Sequence, residues 1–169
     1  QIAFVLPRSE RQHWALMAEN FGQGVEFEIL YDDEIESLPE DKSVWILGRE
    51  NRFVDTVSAS VMPYGVEYAD TGVSLAGSEI AYTSRASVLT GRHPVDPELA
   101  LGWIHIDDMI AMPGVIEKLP HYGKYSYLSF VGEEPTNDLS GIWAGSDSPL
   151  QWVNPDLTRP IQWESLPIP

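Results

Sequence analysis

The densest run of potentially reactive side chains lies between positions 118 and 130, K-L-P-H-Y-G-K-Y-S-Y-L-S-F, with one histidine, two lysines and three tyrosines. Such a run is compatible with the wall of an active site or with a turn that enters an aromatic strand. Pro120 and Gly123 bracket His121 and Tyr122, a pattern typical of turns. No carboxylate in the segment is placed to orient the histidine as a general base. The residues therefore predict a rigid aromatic turn, with His121, Tyr122 and Lys124 available for binding.

Metal chemistry has little support in the sequence. The chain has no cysteine, which excludes disulfides, thiol nucleophiles and cysteine-ligated zinc. It has no H-E-x-x-H motif, and none of its histidines are spaced i, i+4 on a helix. The nearest approach to a ligand cluster is His105-Ile106-Asp107-Asp108, which a pair of helix-capping aspartates also explains. We predict no metal site and no cofactor in this chain.

Nucleophilic catalysis and phosphate binding also lack a complete motif. No G-x-S-x-G sequence is present. A serine triad can be assembled on paper from Ser126, His121 and Asp107, but almost any sequence offers such a triple. Phe21-Gly22-Gln23-Gly24 follows a predicted helix instead of opening one, which is the wrong order for a dinucleotide-binding loop. We therefore predict no catalytic residue.

Composition restricts the partners. The 26 acidic and 10 basic residues give a formal net charge of −16, which disfavours nucleic acid and anionic membranes. Hydrophobic residues make up 43% of the chain, so global disorder is excluded. No apolar run approaches the ~20 residues of a membrane span, so we expect no membrane insertion. The sequence opens at Gln1 without a basic n-region, so we expect no signal peptide and a chain cut from a longer one.

The elements that position these residues alternate between strands and helices in the first fifty positions. Ser9 and Gln12 resemble a capping box at the start of a helix that ends at Gly22. Around that helix we predict a buried strand Ile2–Leu6, a half-exposed strand Val25–Tyr31, a short acidic helix from Asp32 to near Pro39, and a buried strand Val44–Leu47. This order predicts an α/β fold, with a mixed sheet whose N-terminal βαβ portion is parallel and flanked by helices.

The second half is predicted to add antiparallel structure. The segment 66–82 alternates around two glycines, as in a β-hairpin or meander. Further on we predict a strand Ala86–Thr90, a helix over 98–106 capped by Asp96, a helical turn through Met112 that Asp107 or Asp108 caps and Gly114 ends, and a strand Tyr125–Val131. Residues 1–150 are predicted to form a single α/β domain, and 151–169 an extended tail or inter-domain linker.

One binding constellation follows from the predicted sheet. Ligand sites in open α/β sheets lie beyond the carboxyl ends of parallel strands. Arg8 follows the first strand, Arg49 and Asn51 follow the third, and Arg92 and His93 follow the strand that ends at Thr90. If these strands are parallel neighbours, three arginines converge and can bind a carboxylate or a peptide end. The alternative is that they are separate surface arginines on an acidic protein.

Several stretches resemble an accessory region of large bacterial metallopeptidases of the M1 aminopeptidase-like family. They cover most of 44–150 and read V-W-I-L-G-R-E-N-R-F (44–53), G-R-H-P (91–94), K-L-P-H-Y-G-K-Y-S-Y-L-S-F (118–130), G-E-E-P-T-N (132–137) and D-S-P-L (147–150). Such peptidases hold zinc with H-E-x-x-H and a downstream glutamate, which this sequence lacks. The resemblance thus implies a non-catalytic accessory domain beside a zinc peptidase domain, with a role in structure, docking or substrate access, and no catalytic residue is carried over.

On this interpretation the partners are other domains of the same polypeptide, and an exported location is implied, since such peptidases are usually exported. The expected contact surface combines the turn with the arginine segments, namely Arg49, Asn51, Arg92, His93, His121, Tyr122 and Lys124. An alternative hypothesis is that the chain is a binding domain or a hydrolase that takes a small molecule or a peptide carboxylate along the arginine rim. A third hypothesis is that it is a scaffold without a site.

Overall fold

A computed structural model of the chain describes residues 1–75 and 77–143. The predicted tail or linker at 151–169, the last residues of the predicted 1–150 domain and the D-S-P-L stretch lie outside the described residues.

The described residues form ten strands in two sheets. The small sheet comprises β4 (Glu67–Ala69), β5 (Gly72–Leu75) and β6 (Ser78–Ala81). The main sheet comprises β1 (Ile2–Leu6), β2 (Phe27–Tyr31), β3 (Ser43–Leu47), β7 (Arg85–Arg92), β8 (Ala100–Ile106), β9 (Tyr127–Val131) and β10 (Thr136–Gly141).

The main sheet is mixed, in the order β10-β9-β7-β8-β3-β1-β2. Strands β2, β1, β3 and β8 are parallel neighbours. Strand β7 runs antiparallel to both β8 and β9, and β10 is antiparallel to β9. The small sheet is an antiparallel meander. The structure therefore confirms the predicted α/β class, with a parallel N-terminal portion and a hairpin unit in the middle.

Three α-helices cover the main sheet on its two faces. On one face lie α1 (Arg11–Phe21) and α3 (Met112–Lys118), which bury Trp14, Met17 and Val115 against β1 and β8. On the other face lie α2 (Val54–Val61) and the small sheet. The apolar runs of β1 and β3 are buried on both faces, which is why they read as continuous rather than alternating. The result is a three-layer arrangement with two cores.

The predicted helix over 98–106 is wrong, because this segment forms β8. Asp96 does make the expected local bond, since its Oδ1 accepts from the Glu98 backbone nitrogen at 2.9 Å. That bond closes a turn, and the chain then continues into a strand between β3 and β7. The Trp103, Ile104 and Ile106 side chains favour this pairing, because they are buried on both faces of the sheet.

Other local predictions also needed correction. Helix α1 starts after Glu10, which has a left-handed backbone at φ 54, and Ser9 does not cap it. The predicted acidic helix is a turn, because the buried Asp32 carboxylate accepts from the Arg52 backbone nitrogen at 3.0 Å. Gly114 does not end a helix but lies within α3, where a side chain would overlap Pro135. Helix α2 and strand β10 were not predicted.

Candidate functional site

The carboxyl end of the parallel strands brings together only part of the predicted arginine rim. Strands β1 and β3 are parallel neighbours, so Arg8 and Arg49 follow them at the same end of the sheet. Arg92 ends β7, which runs in the opposite direction, and it therefore lies at the other end. The predicted convergence of three arginines is wrong, since it required all three strands to be parallel.

Arg92 and His93 instead close a loop at that opposite end. The Arg92 Nη1 donates to the Pro97 carbonyl at 2.6 Å. His93 is 2% exposed, and its Nδ1 accepts from the Val95 backbone nitrogen at 3.3 Å. These bonds hold the loop that leads into β8. His93 thus contributes little exposed surface, although it lines a small cavity with Pro94 and Val95.

Asn51 is a structural residue rather than a surface contact. It is 3% exposed, its Nδ2 donates to the Val5 carbonyl at 2.9 Å and to the Leu47 carbonyl at 3.3 Å, and its Oδ1 accepts from the Phe53 nitrogen at 3.1 Å. One amide therefore joins β1 and β3 and starts the turn into α2. Its donors and its acceptor are used within the chain, so we no longer assign Asn51 as a binding residue.

A polar cleft of about 550 Å³ opens beside Arg49. We call it the Arg49 cleft. The loop after β3, the first turns of α2, strand β4 with its following turn and the residue after β6 supply its walls, because the small sheet packs beside α2 on the same face. Its lining residues are Arg49, Val54, Asp55, Ser58, Tyr68, Ala69, Asp70 and Tyr82.

Arg49 is fixed in the wall of this cleft by three neighbours. Its Nη1 donates to the Asp70 carbonyl oxygen at 2.9 Å, and its Nε lies 4.0 Å from a Glu50 carboxylate oxygen. The guanidinium carbon is 5.4 Å from the centroid of the Tyr82 ring, within range of a cation–π contact. The Arg49 side chain is still 45% exposed, so the guanidinium can meet a ligand from the cleft.

An aromatic cluster supports the cleft from the core side. The Trp103 indole donates to the Gly48 carbonyl at 3.1 Å, and its ring centroid is 5.6 Å from Tyr68 and 6.2 Å from Tyr82. Burial raises the pKa of Tyr68. Burial also raises the pKa of Tyr82, against the opposing effect of the Arg49 charge. A phenol is already protonated at neutral pH, and these shifts move both groups further from ionisation, so both remain hydrogen-bond donors.

His105 completes this cluster as a buried neutral imidazole. It is 4% exposed, stacks on Trp103 at 5.7 Å and meets the Tyr82 ring edge-on at 5.1 Å. Burial lowers the pKa of His105 to about 4. The negative charges of Glu50 and Asp107 oppose this shift, and the positive charge of Arg49 adds to it. Neither ring nitrogen has a hydrogen-bond partner among the described residues. The sequence placed this residue in a capping pattern and gave no sign of its burial.

The carboxylates that follow His105 serve the backbone. Asp107 Oδ2 accepts from the Ser84 nitrogen at 2.8 Å, where Ser84 has a left-handed backbone. Asp108 Oδ1 accepts from the Ile110 nitrogen at 2.9 Å and caps the short 3-10 helix that precedes α3. Within residues 1–75 and 77–143, no three histidine or carboxylate side chains lie where they could hold a metal ion. The sequence prediction that the chain holds no metal stays a prediction.

The aromatic turn of the sequence is present. Leu119–Tyr122 is a 3-10 helix directly after α3, and His121 and Lys124 are exposed. Tyr122 is half-buried, with its ring 5.3 Å from Phe130 in edge-on contact, and Lys124 Nζ lies 5.1 Å from the Tyr125 ring centroid. The tyrosines thus pack the turn, and the His121 and Lys124 side chains are exposed on it.

A second surface feature, absent from the sequence prediction, is an apolar groove between the two helices of one face. We call it the α1–α3 groove. Its volume is about 460 Å³, and it is bordered by Leu16 and Ile110, which are 50% and 66% exposed. Its lining residues are His13, Leu16, Asn20, Met109, Ile110, Met112, Pro113 and Ile116. Leu16 lies on the outward side of α1. An apolar residue at such a position was the sequence feature that could have indicated this groove.

Comparisons with known proteins do not assign this chain to a family. No protein-family model matches the chain, and no curated protein matches it. Among the described residues, no helix combines the length and the apolar character that crossing a membrane would require. The function is therefore inferred from the two surfaces and from the sequence resemblance.

Proposed function

We propose that this chain is a non-catalytic α/β domain of a larger bacterial peptidase and that it docks on another domain of the same polypeptide. The observation that carries the proposal is the α1–α3 groove, where two large apolar side chains flank an apolar depression on an otherwise acidic protein. The resemblance of 44–150 to the accessory region of such peptidases supports the same choice of partner. Zinc would then belong to the catalytic domain of the parent protein.

The groove offers the energy that a domain contact needs. Full burial of a leucine or isoleucine side chain is worth roughly 1.5–3 kcal/mol, and both Leu16 and Ile110 remain at least half exposed in this chain. Contacts between domains of one polypeptide need less intrinsic affinity than contacts between free proteins, since the linker supplies a high effective concentration. Because only the exposed part of each side chain is still to be buried, the two anchors together contribute on the order of 2–3 kcal/mol to such a contact.

The exposed turn lies at the C-terminal end of the same helix. His121 and Lys124 follow α3 and are not among the residues that line the groove. Polar contacts beside an apolar centre contribute more to orientation and association rate than to affinity. We accordingly assign Leu16 and Ile110 as anchors, and His121 and Lys124 as a separate polar contact that orients the partner.

The experiment compares backbone hydrogen exchange of α1 and α3 in residues 1–169 alone and in the full polypeptide. We expect slower exchange of both helices in the full polypeptide, and loss of that protection in the Leu16→Glu, Ile110→Glu double variant. The control double variant, Val25→Glu with Met62→Glu, alters exposed apolar residues outside the groove and should retain the protection.

Two results would contradict the proposal. Equal exchange rates of α1 and α3 in both contexts would show that the groove is not covered by the rest of the polypeptide. A reading frame that encodes no H-E-x-x-H segment with a downstream glutamate would remove the peptidase part, while the docking surface could still be tested against whatever domain adjoins this one.

A second candidate function is ligand binding in the Arg49 cleft. The observation that favours it is an arginine held over an aromatic ring in a cleft of about 550 Å³, a volume within the usual range of ligand sites. Arg8 is exposed at the same end of the sheet, but it does not line the cleft. Of the three arginines in the predicted carboxylate site, Arg49 is thus the one that lines this cleft.

A further inference from the structure

The Arg49 cleft contains opposite charges that do not neutralise each other. Arg49 uses Nη1 on the backbone carbonyl of Asp70, and the acidic side chain within 4.0 Å of it is Glu50, which does not line the cleft. Asp55 projects from the first turn of α2, and Asp70 follows β4. Within the part of the chain that the structure describes, neither of these two carboxylates forms an ion pair. A cleft with separated positive and negative groups matches a ligand that also carries both charges.

We propose that the Arg49 cleft binds a free α-amino acid, with its carboxylate on the Arg49 guanidinium and its ammonium group directed to Asp55 and Asp70. This inference rests on the second candidate function and is independent of docking through the α1–α3 groove. A guanidinium and a carboxylate form charge-assisted hydrogen bonds, which are the strongest that side chains offer to such a ligand. A cation alone would satisfy the aspartates but would leave the Arg49 guanidinium without a ligand partner.

Two of the residues that line the cleft carry hydroxyl groups, Tyr68 and Ser58. The Tyr68 hydroxyl is buried and has no hydrogen-bond partner among the described residues, although a buried polar atom is normally paired. A phenol is a hydrogen-bond donor at neutral pH, so this hydroxyl is available to a ligand that reaches it. Ser58 lies one helical turn after Val54 on the same wall of the cleft.

The remaining walls indicate the kind of side chain. Val54, Ala69 and the rings of Tyr68 and Tyr82 line the cleft with apolar and aromatic surface. Aromatic rings favour contact with a flat or branched apolar group, and the available charged groups are already assigned to the two ends of the amino acid. We infer that apolar and aromatic amino acids bind best.

The test is a calorimetric titration of the chain at neutral pH with three compounds of one skeleton. L-phenylalanine carries both charges, phenethylamine lacks the carboxylate, and 3-phenylpropanoate lacks the ammonium group. We expect saturable binding of L-phenylalanine and a dissociation constant at least about tenfold larger for each analogue, because each has lost one charge-assisted contact. L-leucine should bind in the same range as L-phenylalanine.

Variants then locate the binding. Arg49→Gln and Asp55→Asn should each weaken L-phenylalanine binding about tenfold. Arg52→Gln is the matched control, since this arginine stands in the same loop over the Phe53 ring but outside the cleft. Circular dichroism melting confirms that each variant is folded.

Three results would overturn the inference. One is the absence of saturable binding for both amino acids. Another is an analogue that binds as tightly as L-phenylalanine, which would show that one charge is not recognised. The third is retention of full affinity by both cleft variants. None of these results bears on the hydrogen-exchange test of docking, so failure of the amino-acid site and failure of the docking proposal are distinguishable.

Discussion

Acidification should destabilise this fold through His105, and the effect can be isolated with one substitution. The imidazole is buried against Trp103 and Tyr82, where a proton would carry an unsolvated charge. Burial lowers the folded-state pKa of His105 to about 4, from an ordinary value of 6.5. Between these two values the unfolded chain binds a proton that the folded chain does not. The free energy of unfolding therefore falls as the pH falls.

The size of the effect follows from the two pKa values. A pKa lowered from 6.5 to about 4 makes on the order of 3 kcal/mol of stability dependent on pH. This contribution is complete above pH 6.5 and is lost progressively as the pH falls towards 4. By pH 5 about 2 kcal/mol of it is lost. That is a substantial fraction of the roughly 5–15 kcal/mol typical of a domain.

The assay is urea unfolding at pH 7.5 and pH 5.0, followed by tryptophan fluorescence, for the parent chain and His105→Phe. Phenylalanine fills a similar volume, packs on the same rings and does not titrate. We expect it to reduce the loss of stability between the two pH values by about 2 kcal/mol. At pH 7.5 the variant should be as stable as the parent or more so, because two unpartnered buried nitrogens are removed.

His121→Gln is the matched control, since it removes a histidine that is exposed on the 3-10 helix after α3. It should keep the pH dependence of the parent chain. If His105→Phe loses as much stability between pH 7.5 and 5.0 as the parent does, the buried imidazole is not the source of the acid sensitivity. The carboxylates of the chain would then have to account for it.

Two further predictions concern packing and are measured by the same urea unfolding at pH 7.5. Asn51→Ala should lower the free energy of unfolding by at least about 2 kcal/mol, because it leaves two strand carbonyls and the Phe53 nitrogen without their partner. A loss below 0.5 kcal/mol, the ordinary range for surface substitutions, would show that the amide is dispensable. Gly102→Ala should cost about 1–3 kcal/mol, since the added methyl group would overlap the Trp45 ring. Gly123→Ala, which meets no atom within 4 Å, is its control, and equal stability of the two variants would refute the overlap.

The sequence predicted the buried strands well because their signal is local. Continuous apolar runs such as Ile2–Leu6 require cover on both faces, and the structure provides it with helices on one side and a small sheet on the other. The prediction failed where a local signal had two possible continuations. Asp96-Pro97 starts a turn as readily as a helix, and only pairing with β3 and β7, at positions distant in the chain, makes 100–106 a strand.

The candidate site shows a similar division. Arg49 could be selected from the sequence, since it directly follows a buried strand and such positions reach a common end of a parallel sheet. Arg92 could not be placed, because the direction of β7 depends on strand order. Tyr68 lies in β4, Tyr82 directly follows β6 and His105 lies in β8, and they meet only when the small sheet packs beside β8. No spacing in the chain records that convergence.

The two outermost strands of the main sheet have a consequence for assembly. A strand at the margin of a sheet exposes backbone groups that can pair with another chain and seed aggregation. In β10 the register shifts between Asn137 and Leu139, and the intervening Asp138 carboxylate pairs with Arg85. In β2, Glu28 holds Lys42 at 2.9 Å. A bulge and fixed charges thus discourage strand addition at both margins. Among the described residues, the main sheet therefore favours contact through its helical faces over extension at its margins.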